Sequence, residues 1–162
     1  MDKKTTCSNE ELKYLIALCQ QFKYRPSRLR KLLEFYSSPQ EAWEHLEETK
    51  RPNLLERAQE ELEFIDKHNI RVDYFKDAHY PYRLKECPDA PILLYSKGKQ
   101  LDTSLGKFVS IVGTRNATDR GKENTRRLVL DLAASIPDVT IISGLAYGID
   151  IAAHKAALEA SI

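Results

Sequence analysis

The sequence predicts a mixed α/β chain in which a small helical bundle precedes the first part of a parallel-sheet domain. Three observations predict it. Helix start signals ahead of apolar residues spaced three and four apart recur through residues 8–69. Short β-type runs broken by prolines follow over 70–105. From Gly106 the pattern alternates strand, loop, helix, strand, loop, helix.

The bundle, residues 1–69, holds four expected helices. Ser8 with Glu11 makes a capping box ahead of Leu12, Leu15, Ile16 and Cys19. Pro26 and Ser27 precede Leu29, Leu32 and Leu33, while Ser38, Pro39 and Glu41 precede Ala42, Trp43 and Leu46. A fourth helix, beginning at Pro52, carries Leu54, Leu55, Ala58, Leu62 and Ile65 on one face and ends near His68-Asn69. The next segment, 70–105, contains Ile70–Phe75, His79–Pro91 and Ile92–Tyr95, and reads as an extended connector that docks on the domain after it. In 106–162, Phe108–Val112 and Val139–Ile142 are buried-strand runs. Arg120–Ile136 is an amphipathic helix with Leu128, Val129, Leu132, Ala133 and Ile136 on one face, stopped by Pro137, and Ile149–Ala160 is a second helix.

A strand, crossover helix and strand of this length predict parallel neighbours, a right-handed crossover, and carboxyl ends on one edge. Parallel sheets are normally covered on both faces and hold more than two strands, so the expectation is a truncated domain with the chain ending partway through it.

Composition narrows the function classes. Apolar and charged fractions of 42% and 30% are those of a globular protein. The longest apolar run is about five residues where a bilayer span needs roughly 20, and the amino-terminal MDKKTTCSNEE has no apolar signal core behind it. A cytoplasmic protein without a membrane partner is expected. Cys7, Cys19 and Cys87 are odd in number and widely spaced, which fits neither a disulfide framework nor a zinc site. A net charge of +1 means that any polyanion site is built locally. There is no G-x-G-x-x-G after the first strand, no Walker A motif, no H-E-x-x-H and no C-x-x-C, so neither a cofactor nor a metal is expected.

Two loops carry the chemistry. In the first, Gly113, Thr114, Arg115, Asn116, Ala117 and Thr118 join a strand to a helix, where unpaired N–H groups and the helix dipole favour an anion. Arg115 offers a bidentate grip on phosphate, Asn116 a side-chain donor, and Thr118 an N-cap. Equally open at this stage is a structural account, with Arg115 in a surface ion pair and Gly113 serving a tight turn. The second loop, Ser143, Gly144, Leu145, Ala146, Tyr147 and Gly148, repeats the design at the end of the neighbouring strand, with the Ser143 hydroxyl as a donor. Ligands of open α/β sheets bind outside the carboxyl ends of the strands, so the pair predicts a phosphate-binding edge. Asp150 and His154, four apart on the helix that follows, are possible pocket support: the carboxylate orients the imidazole or accepts a base or sugar hydroxyl, or both are structural.

Ser110-Ile111-Val112-Gly113-Thr114-Arg115 followed by Gly121, and Ser143-Gly144-Leu145-Ala146-Tyr147-Gly148-Ile149-Asp150 with Ala153-His154, resemble the two signature loops of the DprA/Smf family (DNA-processing protein A). Tyr80-Pro81, Leu84, Cys87-Pro88-Asp89-Ala90-Pro91 and Leu94-Tyr95 before Gly98 resemble that family too. The resemblance implies a SAM-like, helix-hairpin-helix-like bundle followed by an incomplete Rossmann-like parallel-sheet domain. It implies a non-catalytic protein of natural transformation that binds and protects incoming single-stranded DNA and helps load the recombinase RecA. A homodimer is implied for the full-length protein, with the RecA surface beyond Ile162. The Gly-x-Arg loop of such a pocket falls on Gly113 and Arg115, with Ser143, Gly144 and Gly148 as pocket formers.

One departure concerns the bundle. Relatives often place a Gly-x-Gly hairpin before the proline-containing helix start, where this chain has Phe22-Lys23-Tyr24-Arg25-Pro26. Lys23, Arg25, Arg28, Arg30 and Lys31 still give five basic residues in nine positions with no acid among them, interleaved with Tyr24, so accessory DNA contact by side chains competes with a merely solvated face. The rival function is an enzyme, a nucleotide phosphoribohydrolase of the lysine-decarboxylase-like group, which shares a similar Rossmann-like half.

Overall fold

The structure, a computed structural model, describes residues 7–46, 53–98 and 106–162. It is mixed α/β and divides into two compact units between residues 100 and 101.

In the first unit α1 (Asn9–Gln21), α2 (Pro26–Phe35), α3 (Pro39–Glu44) and α4 (Leu54–Lys67) form the helical part. The run Leu15-Ile16-Ala17-Leu18 is wholly buried, which suits a central helix apolar on most of its circumference, and α2, α3 and α4 lie against it. The expected capping box starts α1: Ser8 Oγ accepts from the Glu11 N–H at 3.2 Å and the Glu11 carboxylate accepts from the Ser8 N–H at 2.9 Å. Helix α4 begins after Asn53, which is itself left-handed at φ 64°; the expected start at Pro52 lies outside the described residues.

Helix α1 ends in a Schellman turn. The Tyr24 N–H donates to the Cys19 carbonyl at 2.8 Å and the Lys23 N–H to the Gln20 carbonyl at 3.1 Å. Both Lys23 and Tyr24 have positive φ, 52° and 54°. Because a side chain in this region costs about 1 kcal/mol, Lys23→Gly is expected to stabilise the protein by about that amount. Urea unfolding followed by circular dichroism is the check, and an unchanged midpoint would remove the strain from the account.

The segment expected as a connector is folded into this unit. Strand β1 (Arg71–Tyr74) pairs antiparallel with β2 (Leu93–Ser96), Arg71 opposite Ser96 and Tyr74 opposite Leu93. Val72, Tyr74, Ile92 and Leu93 join Leu15, Leu29 and Trp43 in one core. The physical reason is their apolar inner face, which the helices cover. Between the strands, where the prolines predicted only extended chain, Tyr82–Lys85 makes one helical turn, α5.

In the second unit β3 (Lys107–Ser110) and β4 (Val139–Ile142) pair in parallel, Lys107 opposite Val139 and Ser110 opposite Ile142, with α6 (Asp119–Ser135) as the crossover and α7 (Ile149–Glu159) after β4. Val109, Ile111, Val139 and Ile141 face a core completed by Val129, Leu132, Ala153, Ala156 and Ala157. The alanines let α6, α7 and the strands approach closely. Burial is one-sided, in contrast to the expected fully buried strands: Val112 is 79% and Ile142 47% exposed, and Leu128 lies 51% exposed off the α6 core face. Arg126 Nε donates to Glu159 at 2.8 Å, tying α6 to α7 and holding the Glu159 carboxyl below its usual range.

Among the described residues no disulfide joins the cysteines, and burial first, then the charge of Glu61, pushes the Cys19 thiol up to about 12. No helix of the described residues is long and apolar enough to cross a membrane.

Candidate functional site

Because β3 and β4 end in register, the loops 111–118 and 143–148 leave the sheet at the same edge. They are fastened to each other through the main chain. The Ile111 N–H continues the ladder to the Ile142 carbonyl at 2.9 Å, and the Ile149 N–H donates to the Thr114 carbonyl at 3.2 Å. Ser143 Oγ donates to the Ile111 carbonyl at 2.6 Å. That bond corrects one expectation, since the Ser143 hydroxyl proton is committed to the neighbouring loop rather than offered to a ligand.

Gly148 and Gly113 make this proximity possible. Gly148 sits at φ 88°, ψ −121°, and a Cβ there would run into the carbonyl groups of Thr114 and Arg115. At Gly113 a Cβ would lie 2.6–2.8 Å from the side-chain carbons of Ile149. Ile149 is thus the wedge beneath the first loop, a role its position in an apolar helix gave no sign of. Gly144 lies beside Asp150, whose Oδ2 is 3.0 Å from where a Cβ would stand, and Leu145 is left-handed at φ 54° and 70% exposed.

Asp150 is 4% exposed, and its Oδ1 accepts from the Gly113 N–H at 3.3 Å. The sequence leaves open that it orients His154, meets a sugar or base, or is a structural partner of the helix dipole. The i, i+4 spacing does share a face, but a carboxylate in the first turn of α7 reaches the loop ahead of it, where the helix dipole also favours it. His154 Nε2 is buried and has no partner among the described residues.

In the first loop the Asn116 N–H donates to Thr114 Oγ1 at 3.2 Å, a local turn that fixes the backbone on both sides of Arg115. Asn116 itself is exposed. Thr118 is the N-cap of α6 as expected, its Oγ1 accepting from the Gly121 N–H at 3.1 Å. Arg115 is exposed and makes neither a hydrogen bond nor an ion pair with any described residue, so the surface ion pair considered for it is absent among them. What the arrangement presents is a free guanidinium on a backbone held from three directions.

The basic run of the first unit separates into two kinds of residue. Lys23, Arg25 and Arg28 are exposed and unpaired among the described residues. Arg30 is drawn inward: its guanidinium lies 4.0 Å from the Phe75 ring centroid and donates to the Ala90 carbonyl at 3.2 Å. A residue stacked in this way is a fold contact, which corrects its expected role as an accessory DNA contact.

Strand-to-helix loops meeting at the carboxyl edge of a parallel strand pair, one of them carrying an arginine unpaired among the described residues, define a mixed α/β protein. Comparison with known proteins gives the family. A family model described as DNA recombination-mediator protein A matches residues 71–162, and the chain belongs to this DprA/Smf family. The DNA processing protein DprA of Streptococcus pneumoniae is 41% identical over 83 residues, 51% of this chain and 28% of that protein. DprA of Bacillus subtilis is 40% identical over 81 residues, 50% and 27%. Protein Smf of Synechocystis is 40% identical over 105 residues, 60% and 26%. The matched segments thus span about a quarter of the length of these relatives. In fold it is similar to the X-ray structure of Streptococcus pneumoniae DprA, with a TM-score of 0.62 at 24% identity, over 92% of this chain and 54% of that one.

Proposed function

We propose that this chain binds single-stranded DNA by its phosphates, without reading sequence, at the edge formed by Gly113, Thr114, Arg115, Asn116, Ser143, Gly144, Leu145 and Gly148. The observation that carries the reading is Arg115, an unpaired guanidinium on a loop whose backbone the adjacent loop holds in place. Pre-positioned arginine and loop N–H groups suit phosphate oxygens, the part of a strand that is the same in every sequence. Family membership supports a role in DNA processing and recombination. Within that role the chain contributes a SAM-like bundle and the opening strand-helix-strand-helix of a Rossmann-like domain to a cytoplasmic, homodimeric protein that protects incoming strands and helps load RecA.

Labelled oligo-dT titrated at about 50 and 200 mM salt is the test. Affinity is expected to fall steeply with salt. Arg115→Ala is expected to weaken binding to every sequence by roughly tenfold, the loss of one charged hydrogen-bond partner, and to reduce the slope of log affinity against log salt by about 0.7. Salt-independent binding, or equal affinity of variant and parent, would remove the edge from the function. Release of free base from a nucleoside monophosphate would move the reading to the enzyme class.

A further inference from the structure

The first unit carries a second surface with the chemistry of a single strand. Tyr24, Arg25, Pro26, Leu29, Pro91 and Tyr95 line a shallow cleft of about 30 Å³. Its rim holds two tyrosines that a folding core would normally cover, Tyr24 at 63% and Tyr95 at 38% exposure. Neither ring is loose. The Tyr95 hydroxyl donates to Glu61 Oε1 at 2.6 Å, and Gln20 Nε2 donates to Glu61 Oε2 at 2.9 Å. These two donors engage both oxygens of the Glu61 carboxylate, which lies beside the Tyr95 hydroxyl. Tyr24 is presented by the left-handed pair Lys23-Tyr24 at the end of α1, a costly backbone held by two Schellman hydrogen bonds. Arg25 lines the cleft, and Lys23 and Arg28 flank Tyr24 and Leu29 in the sequence; all three are exposed and unpaired among the described residues.

We propose that this cleft is a base-stacking subsite for single-stranded nucleic acid, in which an unpaired base lies on Tyr24 and Tyr95 while Lys23, Arg25 and Arg28 take the flanking phosphates. Shape and charge select this occupant. A cleft this small has no room for a ligand that must be engulfed, and an apolar floor beside Arg25 and the basic run 23–31 complements a chain of flat rings joined by anions. Arg30, stacked on Phe75, belongs to the floor's support. The proposal rests on the single-strand reading above but on different residues, so the two can fail separately.

The experiment measures oligo-dT binding to the full chain for the parent, Tyr24→Leu, Tyr24→Phe and Arg115→Ala, each also with an abasic strand of the same length. Circular dichroism checks that the fold is kept. Tyr24→Leu is expected to weaken oligo-dT binding about fivefold or more, the loss of one stacked base, while Tyr24→Phe binds like the parent. The abasic strand is expected to bind Tyr24→Leu and parent alike, since it has phosphates and nothing to stack. Parent-like affinity of Tyr24→Leu for oligo-dT, with Arg115→Ala weakened, overturns the subsite and leaves the loop reading standing. Parent-like affinity of Arg115→Ala with Tyr24→Leu weakened supports the subsite and overturns the loop reading. An equal loss on the abasic strand, or displacement of oligo-dT by poly-glutamate at matched charge, overturns stacking as the basis of recognition.

Discussion

Gly148→Ala is expected to destabilise the protein by about 3 kcal/mol or more and to remove most of its affinity for oligo-dT. At φ 88° and ψ −121° only glycine is at ease, and forcing another residue there costs on the order of 1–3 kcal/mol by itself. The added methyl also points at the carbonyls of Thr114 and Arg115, which are main-chain atoms with nowhere to rotate. Relief requires the two loops to part, and that carries Arg115 away from its position. Urea unfolding followed by circular dichroism gives the first effect and strand binding the second. A double variant with Arg115→Ala is then expected to bind no worse than Gly148→Ala alone, because the arginine is already misplaced. A parent-like unfolding midpoint would show that the loops do not meet as described.

The second large effect is expected at Asp150. Asp150→Ala leaves the Gly113 N–H without its acceptor and removes a carboxylate from the first turn of α7, a combined cost of about 2 kcal/mol. Asp150→Asn keeps an acceptor of the same shape and forgoes only the charge, so roughly half of that loss is expected. The ordering Ala, then Asn, then parent in unfolding midpoint is the measurement, with strand affinity following the same order. If Asn proved as damaging as Ala, charge and not the bond to Gly113 would be the cause.

Much of this was legible in the sequence wherever the determining signal is local. The Ser8 and Thr118 caps, the proline starts of α2 and α3, and the two loops depend on neighbours within a few positions, and those neighbours can be read directly. What escaped depends on partners far along the chain. Ser143 and Asp150 stand out in the sequence at the second loop, yet each spends its hydrogen bond on main chain more than thirty residues away, at Ile111 and Gly113. Arg30 read as part of a basic face because nothing near it in sequence shows that Phe75 and Ala90 lie beneath it. The hairpin of β1 and β2 reads in sequence as a connector because its strands have four residues each and are parted by three prolines. Only the helices they pack against make that short pair stable.

Every fastening of the two loops has a backbone atom on at least one side: the Thr114 carbonyl to the Ile149 N–H, the Gly113 N–H to Asp150, the Ile111 carbonyl to Ser143, and Gly148 against two carbonyls. Register, together with the few residues that make these contacts, therefore keeps Arg115 in place. Surface loops ordinarily accept extra residues and resist nothing but the loss of a functional group. Here the tolerance is inverted. Positions such as Val112 and Tyr147 have wide freedom of substitution, while one residue inserted or deleted in either loop shifts these pairings. An engineer wishing to retune the edge has its chemistry to work with, but not its length.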